Sequence, residues 1–137
     1  MEAHHKLSDY ELEVQFGLYT LPKALFTHET HLRLAWIHIT KYGMNNAIIN
    51  LCAQIKNYAR SLGYAEKFNQ TLTVAAVKTV NHFIQNSVSN TFQEFITEFP
   101  QLKNGFKSLL DEQYGFDFLN TEAAKVEFLD LDLLPQE

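Results

Sequence analysis

Two histidines three residues apart, His28 and His31, directly follow Thr27 at the start of a helix-like stretch. At that spacing their Cβ atoms are about 5–6 Å apart on one helix face. Imidazoles so placed can share a metal ion, or hydrogen-bond a ligand or nearby backbone. A helix amino end carries partial positive charge, which favours neutral imidazole and attracts anions. Further along, Asn69, Gln70 and Thr71 open a second helical stretch with amides and a hydroxyl. A metal reading of His28 and His31 needs a third ligand, which Asp130 or Asp132 in the tail would have to supply. Asp111 and Glu112 read as a solvated helix end, His38 and His82 as structural or solvated, and Cys52, beside Ile48, Leu51 and Ile55, as a buried apolar residue.

These residues meet only if the elements between them place them together. Thr27 is a good N-cap and Gly43 a good stop, so the pattern predicts a helix from His28 to Tyr42. Leu32, Ala35, Trp36 and Ile39 form one apolar stripe, with Leu34 and Ile37 opposite, which marks a central helix. Arg33 points away from the main stripe, towards a partner or solvent. A third helix is expected from Asn45 to Leu62 and a fourth from Asn69 to about Ser87. A fifth is capped by Ser89 and carries Phe92, Phe95, Ile96 and Phe99. A sixth carries Leu102, Phe106, Leu109 and Leu110, and a short last one starts near Asn120. Short loops make helices two, three and four run up, down and up. The amino ends holding His28 and His31, and Asn69, Gln70 and Thr71, then share one end of the bundle.

The start of the chain is two-sided. Tyr10, Leu12, Val14, Phe16 and Leu18 alternate like a strand, while Ser8 and Glu11 form a capping box. A lone strand leaves its backbone unpaired, so helix is chosen. Residues 1–7, with His4 and His5, are expected to be disordered, and residues 129–137 to form an extended tail.

The whole is read as one all-α domain of six or seven helices, residues 1–137, with 46% apolar residues to fill its core. With a net charge of −5 and scattered lysines and arginines, nucleic acid and anionic membranes are disfavoured as partners. One cysteine allows no intrachain disulfide. Without a signal-like stretch or a membrane span, a cytoplasmic location is expected. Phosphate loops, Cys-x-x-Cys, His-Glu-x-x-His and nucleophile elbows are absent.

The run Phe26-Thr27-His28-Glu29-Thr30-His31-Leu32-Arg33-Leu34-Ala35-Trp36 resembles the Phe-x-His-x-x-His…Ala-Trp signature of an uncharacterised family of small bacterial all-helical proteins. Thr20-Leu21-Pro22 and the stretch from Leu119 to Leu133 are similar to that family's start and end. The resemblance carries no activity with it. Where the family tends to have His-Glu-Thr, this chain has Asn69-Gln70-Thr71. Amides are poor metal ligands and poor proton-transfer groups, so the departure favours a binder over an enzyme.

The leading expectation is therefore a site for a small anionic ligand built from His28, His31, Asn69, Gln70 and Thr71, with no cofactor. Two others stand beside it. One is a metal-dependent or acid–base enzyme using His28 and His31. The other is a homodimeric interaction protein with no small ligand, presenting Phe92, Phe95 and Phe99 as an exposed stripe.

Overall fold

The computed structural model describes residues 1–112, and within them the chain is helical with no strand. The expectations for Asn120 onward, including Asp130 and Asp132, lie outside those residues. Helix α1 spans Asp9–Gly17, α2 His28–Tyr42, α3 Met44–Ser61, α4 Gln70–Gln85, α5 Phe92–Glu98 and α6 Gln101–Asn104. Residues 106–112 are helical beyond a bend at Gly105.

The ambiguous start is a helix. Ser8 accepts from the Glu11 backbone N–H and the Glu11 carboxylate accepts from the Ser8 N–H, closing the capping box. A strand would place all five alternating apolar residues on one face. The helix instead buries Leu12 and Phe16, one turn apart, and leaves Tyr10 and Leu18 exposed.

Residues 1–7 differ from expectation. Ala3–Lys6 form a 3-10 turn with His4 buried, because partners distant in sequence hold it down. Helix α5 is capped by Thr91 rather than Ser89. The Ser89 hydroxyl donates instead to Glu98, at 2.6 Å, and so cannot turn the helix.

Helix α2 is the hub. Every residue from His28 to Ile39 except His31 is buried. Gly43, at φ 85°, turns the chain straight into α3. The far end of α3 returns to the start of α2: Tyr58 donates to the Leu21 carbonyl at 2.7 Å, and its ring lies 4.9 Å from Phe26. Phe16 completes this cluster at 5.0 Å from Tyr58 and 5.1 Å from Phe26. Each such buried ring contributes about 1.5–3 kcal/mol from apolar burial. The cluster pins the entrance of α2, and with it the histidines. Phe92 and Phe95 point into the core, so α5 does not present the three-phenylalanine stripe that a dimer surface would need.

Candidate functional site

A cavity lies between the amino ends of α2 and α4, with α3 as its third wall. About 50 Å³ of it is open to the centres of water-sized molecules. Helix α2 contributes His28, His31, Leu32 and Ala35, α3 contributes Leu51 and Ile55, and α4 contributes Leu72, Thr73, Ala76, Val77 and Val80. Phe106 closes one side. Both amino ends border one space, which is the up-down-up arrangement expected of these three helices.

The two histidines play different parts. His28 Nε2–H donates to the Leu102 carbonyl at 2.9 Å, and its ring packs 5.0 Å from Phe106. His28 thus ties α2 to α6 and the segment after it. This bond fixes the His28 tautomer with its proton on Nε2. His31 sits against Phe26, with ring centres 4.6 Å apart. Its Nδ1 is sealed from solvent without a hydrogen-bond partner. Burial lowers its pKa to about 3, with the neighbouring His28 pushing the same way, so His31 is neutral at physiological pH. The ring is only half-buried even so, since part of it faces the cavity.

The residues expected on α4 divide. Asn69 is buried and caps the helix, its side-chain oxygen accepting from the Leu72 N–H at 3.1 Å. Gln70 and Thr71 are exposed and are not among the lining residues. The inward positions are Leu72 and Thr73, one and two residues further along, because the first turn of α4 is rotated that way. The Thr73 hydroxyl donates to the Asn69 carbonyl at 3.0 Å, so towards the cavity it can only accept. Among the described residues no lysine or arginine lines the cavity.

A second cluster was not anticipated. Glu29, one residue after His28, is buried on another face of α2. Its Oε2 accepts from His4 Nε2 at 2.6 Å and from His5 Nε2 at 2.8 Å, and its Oε1 lies 3.0 Å from Lys103 Nζ. Burial alone would raise this carboxyl's pKa, but the bonds from Lys103, His5 and His4 outweigh it and hold the group ionised. Arg33, one turn on, is also buried. It donates to Asp9 at 2.9 and 3.1 Å, to the Leu7 carbonyl at 2.8 Å and to the His4 carbonyl at 2.7 Å. The signal for this cluster was present in α2: a helix apolar on two faces buries its charges too, and buried charges need partners.

Compared with known protein families, characterised proteins and solved structures, the chain matches none.

Proposed function

We propose that this domain binds a small, uncharged, mostly apolar molecule in the cavity between α2, α3 and α4, and that His31 holds its one polar group. The observation that carries this reading is His31 itself. A buried imidazole nitrogen with no partner costs about 1–3 kcal/mol, and such groups are rare in folded proteins. The same ring lines the cavity, so a turn of the imidazole would bring a nitrogen to a hydrogen-bonding guest there. The neutral ring offers one donor and one acceptor. The walls are otherwise aliphatic, with Phe106 and the accepting hydroxyl of Thr73.

An anion fits this interior poorly. Its lost hydration would go uncompensated with a neutral His31 and no cation on the described walls. A hydroxyl or amide on a short carbon skeleton suits it better. The resting volume holds about three to four water-sized units, so the guest has a handful of heavy atoms unless the walls part.

The test is a titration with 1-butanol followed by the side-chain ¹⁵N resonances of His31. Saturable shifts at His31 are expected, and Ala35→Leu, which fills the cavity from α2, is expected to abolish them. Shifts that never saturate, or that survive Ala35→Leu unchanged, overturn the proposal.

A further inference from the structure

The start of the chain gathers a second, chemically distinct set of groups. One ligand-capable atom each from His4, His5 and Glu29 falls within 4.8 Å of the other two. The 3-10 turn makes this possible: it brings the two imidazoles together, ring centres 4.1 Å apart and planes tilted by 32°, and aims both Nε2 atoms at the same carboxylate oxygen. A second carboxylate stands close by, with Glu2 Oε1 3.9 Å from His4 Nε2. The ammonium of Lys103 bridges the two carboxylates, at 3.0 Å from Glu29 and 3.3 Å from Glu2.

We propose that His4, His5 and Glu29 form a binding site for a divalent transition cation of the zinc class, for which the Lys103 ammonium is the built-in competitor. Two imidazoles and one carboxylate are a common donor set for such ions. Ligand atoms about 2.1 Å from a tetrahedral ion stand about 3.4 Å from one another. The present N···O separations of 2.6 and 2.8 Å need open by less than about 1 Å. His5 is partly exposed and can make that adjustment, which also gives the ion a way in.

Protons occupy the ion's place in the hydrogen-bonded state. Both Nε2–H groups donate to Glu29, and binding moves each proton to Nδ1 through solvent. For His4 this ends the longer 3.2 Å contact between Arg33 Nη1 and Nδ1, while the 2.7 Å bond from Nη1 to the His4 carbonyl stays. Lys103, half-exposed at its side chain, swings out to solvent and relieves the repulsion.

The experiment uses the full chain without a histidine tag, titrated with zinc by calorimetry and with cobalt(II) by visible absorption. Saturable 1:1 binding with a tetrahedral cobalt spectrum is expected. Lys103→Met should tighten binding, and Glu29→Gln, which keeps size and an acceptor oxygen, should weaken it by at least about tenfold. His5→Ala serves as a second loss variant, with its fold checked by circular dichroism. Absence of binding in both the native chain and Lys103→Met overturns the proposal. So does binding that Glu29→Gln leaves unchanged, which would reduce it to chelation by adjacent histidines.

Discussion

Two faces of one helix handle buried polar groups in opposite ways. On the first, Glu29 and Arg33 are drawn inside and given partners from the chain start, from α1 and from α6. On the second, His31 is drawn inside, its Nδ1 is given none, and an open volume lies alongside. The first face shows what the fold does with its buried charges in the cation-free chain: it closes hydrogen bonds around them. The second face has space and a shortfall of bonds together. That pairing is why the second face is proposed as the binding cavity.

The largest effect should come from breaking the satisfied face. Glu29→Leu removes the acceptor for His4 and His5 and the counter-charge for Lys103 at once. Lys103 can turn to solvent, but each imidazole N–H left inside without its acceptor costs about 1–3 kcal/mol, a large share of the roughly 5–15 kcal/mol a domain has. Urea denaturation should show a midpoint lowered accordingly, and protease should cut the first residues sooner. A loss under about 1 kcal/mol would mean the clasp is idle and the comparison empty.

The opposite change on the unsatisfied face should have the opposite sign. His31→Leu replaces an orphaned ring with an aliphatic side chain suited to the cavity walls, and is expected to stabilise by about 1–3 kcal/mol at neutral pH while ending butanol binding. The same variant isolates a pH effect. The native fold resists protonating His31, whose pKa falls to about 3, whereas the unfolded chain takes the proton near 6.5. The associated stability is complete above 6.5 and is lost as pH falls from there towards 3, by at most about 1.4 kcal/mol per unit. Ionised carboxylates such as Glu29 add their own acid loss, but both proteins share it. The difference in slope between native chain and His31→Leu therefore belongs to this ring. Equal slopes would show that the ring is solvated and the cavity open to bulk water.

The two faces were unequally legible in the sequence. Helix α2 could be placed to the residue, because Thr27 and Gly43 are local signals and the apolar stripe repeats with the helical period. The meeting of two helix amino ends followed from loop lengths alone. Glu29 could not be matched to His4 and His5, because its partners lie 24 and 25 positions away and only the folded turn brings them in. Phe92 and Phe95 were ambiguous for a related reason: a regular stripe shows that a helix has an apolar face, not whether that face meets the core or a second chain. On α4 the reading erred by phase. Asn69, Gln70 and Thr71 draw attention as polar residues at a helix start, yet a helix rotates by about 100° per residue. A cap position says nothing about which of the next four residues faces inward.

That phase argument gives the smallest and sharpest expectation. Gln70→Ala with Thr71→Ala alters two exposed positions, so stability should stay within about 0.5 kcal/mol of the native chain, and butanol should bind as before. Asn69→Ala, one residue earlier, removes a buried cap and should cost about 1 kcal/mol. Thr73→Val should leave the fold largely intact but weaken a guest that donates to its hydroxyl. The four substitutions fall within the stretch 69–73 and separate rim from wall. If the Gln70/Thr71 double variant weakens butanol binding as much as Ala35→Leu does, the polar rim is the site and the cavity is only packing. If Thr73→Val weakens it and the double variant does not, the guest sits inside, where the helix turn, rather than the polarity of its first residues, decides what it touches.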